Sequence, residues 1–139
     1  MQPRKLTIQN FGPFIHESVD FGDFQEAGLF LITGKTGAGK TTIFDSITFA
    51  LFGETSGQIR SGKEMRSTFA SLEEETKVTF GFEHQSFYYE VCRSPEQELA
   101  KKRGEGTHIR TAKVRLRIFN SVHQLQKEVT KISEVDRFI

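Results

Sequence analysis

The feature that most constrains this chain is a glycine-rich loop, Gly34 to Thr41, which reads Gly-Lys-Thr-Gly-Ala-Gly-Lys-Thr. It matches G-x-x-x-x-G-K-[ST], a pattern in which successive backbone N–H groups point inward and surround a phosphate. Its glycines permit positive φ and keep side chains out of the space between backbone and ligand. The helix that follows should add free N–H groups and a positive dipole end. The motif therefore predicts a loop that binds the polyphosphate of a nucleotide.

Each side chain of this loop has a predicted role. Lys40 should reach the β- and γ-phosphates, and the hydroxyl of Thr41 should ligate Mg²⁺. We expect the nucleotide contacts to come from nine consecutive residues: Gly34, Lys35, Thr36, Gly37, Ala38, Gly39, Lys40, Thr41 and Thr42.

The sequence on either side of the loop fits the context that the motif requires. The apolar run 28–33 predicts a central strand covered on both faces. Residues 40–52 contain neither Gly nor Pro and predict a helix, which Gly53 should end. We expect the buried face of this helix to consist of Ile43, Ile47, Ala50 and Leu51, with Phe44 and Phe52 beside it.

Alternation of apolar and polar residues predicts further strands at 5–10, 16–21, 76–83, 87–93 and 113–120. The segment 94–107 is polar and contains Pro95 and two glycines, so we expect an exposed loop. From about Thr130 the spacing of apolar residues becomes helical. Together with the phosphate loop, these elements predict an α/β fold. We expect the N-terminal lobe of a P-loop NTPase, with a mixed or antiparallel sheet packed around the phosphate-loop helix.

The composition indicates the cellular compartment of the protein and not its activity. The chain has 139 residues, a net charge of +1 and one cysteine, Cys92, which predicts a half-buried thiol in a strand. No stretch approaches the ~20 apolar residues of a membrane span, and the N-terminus has no apolar run typical of a signal peptide. We therefore expect a cytoplasmic protein.

Positive charge is concentrated late in the chain. Seven basic residues fall within 17 positions with one acid, Glu105, among them, which leaves +6 locally. They are Lys101, Lys102, Arg103, Arg110, Lys113, Arg115 and Arg117. One interpretation is contact with DNA phosphates, which is independent of base sequence. The other is a solvated strand face and loop.

Beyond the phosphate loop, the chain resembles the N-terminal ATPase segment of the SbcC family, SMC-like ABC ATPases of double-strand-break repair. The resemblance is carried by residues 10–14 (Asn-Phe-Gly-Pro-Phe), 28–53, 65–67 (Met-Arg-Ser) and 101–106 (Lys-Lys-Arg-Gly-Glu-Gly). It implies two ATPase halves separated by a long coiled coil with a zinc hook. It also implies an ATP-dependent double-strand exonuclease and hairpin endonuclease formed with the nuclease subunit SbcD.

The resemblance further implies ATP and Mg²⁺ as cofactors, and as partners SbcD, a second SbcC copy and double-stranded DNA, in the cytoplasm at the nucleoid. It places the turn at Gly12-Pro13 and the segment 66–70 near the nucleotide. The family's Q-loop, signature helix and catalytic Glu do not occur in this sequence. We therefore expect residues 1–139 to be the N-terminal half of an ATPase head, truncated before the Q-loop and coiled coil, and not to hydrolyse ATP alone.

Two other hypotheses remain open from the residues themselves. A small P-loop kinase or GTPase would also carry the loop, although here two strands precede the loop and no acidic partner motif follows. A nucleotide-independent DNA-binding module would carry the loop without using it.

Overall fold

The computed structural model describes residues 1–27, 31–56 and 60–139, without the side chains of 25–27. Its main feature is a six-stranded sheet with the strand order β2-β1-β3-β4-β7-β8, and every neighbouring pair is antiparallel. The strands are β1 (Gln2–Phe11), β2 (Phe14–Asp20), β3 (Lys77–His84), β4 (Phe87–Ser94), β7 (Lys113–Phe119) and β8 (Leu125–Val129). A separate two-stranded sheet pairs β5 (Gln97–Ala100) with β6 (Thr107–Arg110).

The strands predicted from alternation are confirmed, and β1, β3, β4 and β7 each bury one face, whereas the edge strand β2 has no fully buried residue. The inward residues of β3 and β7 include Val78, Phe80, Val114 and Leu116, all at most 4% exposed. The intervening residues lie on the opposite face, so the sheet has an apolar inner face and a polar outer face. Cys92 lies in β4 and is half-buried, as predicted.

Three strands were not predicted. The segment 94–107, expected to be an exposed loop, instead contains β5 and the start of β6, and within it Gln97 and Leu99 are buried. That expectation was wrong because Gly104 and Gly106, both at positive φ, form the turn of a hairpin. Strand β8 gave no alternation signal, since four of its five residues are exposed at the edge of the sheet.

The helix after the phosphate loop, α1 (Lys40–Phe52), has the predicted bounds. It ends at Gly53, whose φ is 82° and whose N–H donates to the Phe49 carbonyl at 2.8 Å. Its expected buried face was partly wrong. The buried residues are Ser46, Phe49, Ala50 and Leu51, Ile43 and Ile47 are half-buried, and Phe44 and Phe52 are 53% and 58% exposed. Phe49 is buried because its ring packs on Phe11 of β1, with 5.2 Å between ring centroids.

The apolar run before the loop differs from its prediction. Residues 28–30 lie outside the described residues, and residues 31–33 are not in a strand. The Leu31 side chain is 84% exposed, which contradicts a strand covered on both faces. A central strand needs neighbours on both sides to bond its backbone, and no described strand of the sheet pairs with this segment.

The last helix, α2 (Ile132–Phe138), confirms the helical spacing predicted for the end of the chain. Its Val135 is fully buried in the same core as α1 and the inner face of the sheet. None of the described helices is long and apolar enough to cross a membrane.

Candidate nucleotide-binding site

The side chain of Lys40 folds back over the loop that precedes it. Its Nζ donates hydrogen bonds to the carbonyl oxygens of Gly34 at 2.6 Å and Lys35 at 2.7 Å. The loop is closed further by the Ala38 N–H, which donates to the same Lys35 oxygen at 3.1 Å. A lysine ammonium has three donors. One therefore remains for an oxygen of a bound phosphate, and the charge already lies above the loop.

The backbone around Lys40 has the conformation that an anion-binding loop requires. Gly37 and Gly39 have φ values of 85° and 92°, in the left-handed region. No atom of the described residues lies within 4 Å of the position that a Cβ on Gly37 would take, so they leave this side of the loop open. Helix α1 has no side-chain cap. Its first N–H groups have no partner within the helix and, with the dipole end, suit an anionic group. The residues present therefore fit a nucleotide phosphate.

The cavity at the loop also includes the turn between β1 and β2. It has a volume of about 380 Å³ and is lined by Pro13, Thr36, Gly37, Gly39, Lys40, Thr41 and Thr42. Thr41 is exposed, so its hydroxyl can reach a metal ion held by the phosphates. The predicted nucleotide contacts Gly34, Lys35 and Ala38 do not line this cavity, although they form the loop that Lys40 binds.

The turn between β1 and β2 supports the loop through two close approaches. A Cβ on Gly39 would lie 2.5 Å from Cζ of Phe14, and a Cβ on Gly12 would lie 2.6 Å from Cγ2 of Thr42. The Gly12 N–H donates to the Met65 carbonyl at 2.7 Å. Glycine is thus required at both positions for steric reasons. The turn at Gly12-Pro13 therefore lies against the loop, and its position near a bound nucleotide stays a prediction.

The segment 66–70 is joined to this turn but does not line the cavity. The Ser67 N–H donates to the Asn10 carbonyl at 2.9 Å. The Arg66 guanidinium is engaged elsewhere, with Thr76 Oγ1 at 2.8 Å, Gln97 Oε1 at 3.1 Å and the Ser71 carbonyl at 2.8 Å. In this structure Arg66 therefore holds the segment in place and is not directed at the loop.

A buried polar network centred on Gln97 was missed by the sequence analysis. Gln97 Oε1 accepts from the Thr76 N–H at 2.6 Å, and its Nε2 donates to the Thr76 carbonyl at 3.1 Å. The Thr76 hydroxyl donates to the Asn10 carbonyl at 3.0 Å, directly before the Gly12 turn. The network thus joins the β5–β6 hairpin to the turn between β1 and β2, which supports the phosphate loop. The one available signal was that Gln97 lies two residues before Leu99, on the same buried face.

A second missed residue, Arg93 of β4, supports the far end of α1. It is 5% exposed and donates to the carbonyls of Ala50 at 3.1 Å and Leu51 at 3.0 Å. Carbonyls in the last turn of a helix lack partners within the helix, and a basic side chain stabilises that end. Alternation could have found it, because Arg93 shares the inward face of β4 with Val91 and Tyr89.

The seven basic residues proposed for DNA do not form one surface. Lys101, Lys102 and Arg103 are exposed at the turn of the β5–β6 hairpin. Arg110, Lys113 and Arg115 line one cleft beside the start of β7. Arg117 lies further along β7, where its Nε is 2.8 Å from Glu128 and its Nη1 is 3.8 Å from Glu90.

A glycine-rich loop closed by Lys40 and followed by an uncapped helix is the arrangement of a P-loop nucleotide-binding protein. A family model described as an AAA domain matches residues 5–139, and the chain belongs to that family.

The chain is similar to the SbcC protein of the SbcCD nuclease from several bacteria. It is 46% identical over 127 residues to the protein of Lactococcus lactis subsp. lactis, which is 91% of this chain and 12% of that protein. The protein of Vibrio cholerae is 50% identical over 107 residues, which is 76% of this chain and 11% of that protein. The protein of Staphylococcus aureus strain MRSA252 is 46% identical over 93 residues, which is 67% of this chain and 9% of that protein. The chain thus spans about a tenth of the length of these relatives.

One solved structure from work on ATP-driven dimerization and DNA-stimulated activation of SMC ATPases also aligns with this chain. The alignment covers 99% of this chain and 76% of that one, with 16% sequence identity and a TM-score of 0.48.

Proposed function

We propose that this chain binds ATP as the N-terminal half of an ABC-type ATPase head in an SbcC-type protein. The observation that carries the proposal is the position of Lys40, whose ammonium lies above the loop carbonyls with one donor remaining. The left-handed glycines Gly37 and Gly39 and the uncapped start of α1 add backbone donors around the same point.

Within this proposal, each part of the loop has a defined task. Residues Gly34 to Thr42 hold the phosphates, with Lys40 as the point charge and backbone N–H groups as the cradle. Thr41 would supply a hydroxyl ligand to Mg²⁺, which neutralises charge on the β- and γ-phosphates. Phe14 and Gly12 keep the loop and the start of α1 in register through their contacts with Gly39 and Thr42.

The proposed partners follow from the relatives, which are SbcC proteins of the SbcCD nuclease. We infer a nuclease subunit of the SbcD type, a second copy of the ATPase, and double-stranded DNA as the substrate of a complex acting in repair and recombination. The proposed location is the cytoplasm, at the nucleoid. The proposed source of DNA contacts in this chain lies among the seven basic residues from Lys101 to Arg117.

The nucleotide proposal is tested by replacing Lys40 with Ala in the natural-length protein and titrating labelled ATP with Mg²⁺. The change removes a charge-assisted contact of about 1.5–3 kcal/mol, so affinity should fall roughly 10- to 150-fold. Lys5→Ala is the matched control, because Lys5 is exposed on β1, outside the phosphate-loop cavity. Unchanged ATP affinity in a folded Lys40→Ala protein would show that the loop does not hold the phosphates.

A further inference from the structure

The base of the β5–β6 hairpin is fixed by side chains from both of its strands. Gln97 of β5 is 2% exposed, and its amide group bonds both the N–H and the carbonyl of Thr76. Arg110 of β6 contacts the preceding residue, with its Nη1 2.6 Å from Oε2 of Glu75. Residues 75 and 76 lie directly before β3, and both strands of the hairpin therefore hold them in place.

The same two residues bind Asn10, near the end of β1. Asn10 is 1% exposed, its Nδ2 donates to the Glu75 carbonyl at 3.1 Å, and its own carbonyl accepts from the Thr76 hydroxyl at 3.0 Å. Its φ is 51°, in the left-handed region that residues other than glycine adopt infrequently. Such a backbone conformation persists where surrounding contacts hold it. These hydrogen bonds therefore fix the direction in which the chain enters the turn at Gly12.

Arg66 provides a second connection between the hairpin and this turn. Its Nη1 donates to Oγ1 of Thr76 at 2.8 Å and to Oε1 of Gln97 at 3.1 Å. The residue before it, Met65, accepts the Gly12 N–H at its carbonyl, at 2.7 Å. Two routes of hydrogen bonds thus run from the base of the hairpin to the turn between β1 and β2.

This turn contacts the phosphate loop at two points that leave no room for movement. The Phe14 ring lies where a Cβ on Gly39 would be, and Thr42 of α1 lies where a Cβ on Gly12 would be. Groups packed this closely cannot shift past each other without an overlap or a gap. A displacement of the turn therefore moves the backbone N–H groups at the start of α1, which are proposed to hold the phosphates.

We propose that the buried network centred on Gln97 couples the β5–β6 hairpin to the nucleotide site, with Thr76 and Gln97 as positioning residues for the phosphate loop. The inference deepens the proposed function and rests on it. Neither residue lines the cavity at the loop, so each acts through the turn. Displacing the base of the hairpin separates Thr76 from Asn10, loosens the turn and lowers nucleotide affinity. Because coupling between two sites is reciprocal, a bound nucleotide stabilises the base of the hairpin by the same factor.

The first test separates the hydroxyl of Thr76 from its packing, in the natural-length protein. Thr76→Val keeps the shape of the side chain and removes the hydroxyl, whereas Thr76→Ser keeps the hydroxyl and removes a methyl group. Labelled ATP is titrated with Mg²⁺, and melting temperatures are measured on the same samples. Thr76→Val should weaken ATP binding roughly 3- to 10-fold, because the bond to Asn10 is lost. Thr76→Ser should bind ATP to within about twofold of the unchanged protein, although it also loses stability.

A network that only stabilises the fold would make ATP affinity follow the melting temperature in both variants, and this result would overturn the proposal. Unchanged ATP affinity in a folded Thr76→Val protein would also overturn it. Lys40→Ala, titrated alongside, reports on the phosphate loop itself. Weaker binding in Lys40→Ala together with unchanged binding in Thr76→Val rejects the coupling alone, whereas unchanged binding in Lys40→Ala rejects the nucleotide proposal.

The second test measures the coupling in the reverse direction, by hydrogen exchange. ATP should slow the exchange of the backbone amides of Thr76, β5 and β6 by roughly 3- to 10-fold in the unchanged protein. Gln97→Met and Thr76→Val should both lose this protection, and Thr76→Val does so without removing the bonds from Gln97 to the Thr76 backbone. Gln126→Met is the matched control, because Gln126 is an exposed glutamine of β8. No protection in the unchanged protein, or equal protection in Thr76→Val and Gln126→Met, would overturn the coupling.

Discussion

Arg93 of β4 and Asp136 of α2 form an ion pair in which Nη2 and Oδ1 are 3.0 Å apart, and the same guanidinium also donates to α1. One side chain thus joins a strand to both α-helices. The two partners of the ion pair differ in exposure, since the Arg93 side chain is 6% exposed and that of Asp136 is 45% exposed. The hydrogen bonds to α1 are therefore shielded from water, whereas the ion pair is partly screened by water.

Replacing Arg93 with Met should loosen the last turn of α1. The change leaves the buried carbonyls of Ala50 and Leu51 without donors, at an expected cost of about 2–4 kcal/mol. Hydrogen exchange of amides near the end of α1 should then become about 30- to 700-fold faster, at ~1.4 kcal/mol per tenfold. Asp136→Asn is the control, because the amide oxygen still accepts from Arg93, and its cost should stay below about 1 kcal/mol. An equal effect of both substitutions would mean that the ion pair, and not the α1 contacts, dominates.

The contact between Phe14 and Gly39 predicts a coupled effect on nucleotide binding. Gly39→Ala combines two penalties, a side chain at φ 92° and an overlap with the Phe14 ring. The first costs about 1–2 kcal/mol, or roughly 5- to 30-fold in affinity, and the second adds to it. In the double variant Gly39→Ala/Phe14→Ala, nucleotide affinity should recover only the part that was lost to the overlap with the Phe14 ring.

Gly37→Ala is the matched control for this pair. Gly37 also has positive φ, at 85°, but in the part of the chain that the structure describes no atom lies within 4 Å of the position of an added Cβ. It should show the conformational penalty alone, and Phe14→Ala should not rescue it. A double-mutant cycle by ATP titration measures both couplings. Rescue of Gly37→Ala by Phe14→Ala would contradict the assigned contact.

Tyr88 of β4 predicts a change at alkaline pH. Burial raises the pKa of Tyr88 above its ordinary value, and the charges of Glu90, Asp20 and Glu83 raise it further. A tyrosine with a raised pKa in the folded state favours folding fully below the unfolded pKa, near 10, and loses that contribution as pH rises through the folded pKa. The difference in absorbance at alkaline pH between the unchanged protein and Tyr88→Phe should show a phenol titrating later than a free tyrosine. Glu90→Gln should lower this pKa without bringing it to the ordinary value, because burial remains. A difference titration at the ordinary tyrosine pKa would refute the assignment.

Sequence reasoning succeeded where a local pattern has one structural solution. Strands β3 and β7 alternate because one face is buried, and Gly53 ends α1 because the helix stops at a left-handed residue. The phosphate loop is similar, since its motif fixes spacing as well as residue type. These features need no knowledge of which other elements surround them.

The remaining features depend on tertiary neighbours. Alternation places Arg93 and Gln97 on the inward faces of their strands, but the distant backbone groups that accept or donate their hydrogen bonds cannot be identified from the sequence. Strand β8 is recognisable only from its partner β7. The separation of Arg117 from the cleft depends on Glu128 of β8, so the charge run alone could not reveal it.

The Gln97 network has a consequence for how this chain can change during evolution. Hydrogen bonds depend on direction, so the base of the β5–β6 hairpin is held in orientation by Thr76 as well as in position. Its exposed turn, residues 101–106, is closed by a hydrogen bond that the Lys101 N–H donates to the Gly106 carbonyl at 3.0 Å. Insertions and deletions are best tolerated at such exposed turns. A change in length at the turn of the hairpin should therefore leave Thr76 and Gln97 paired, so that the reach of the hairpin can change without disturbing the phosphate loop.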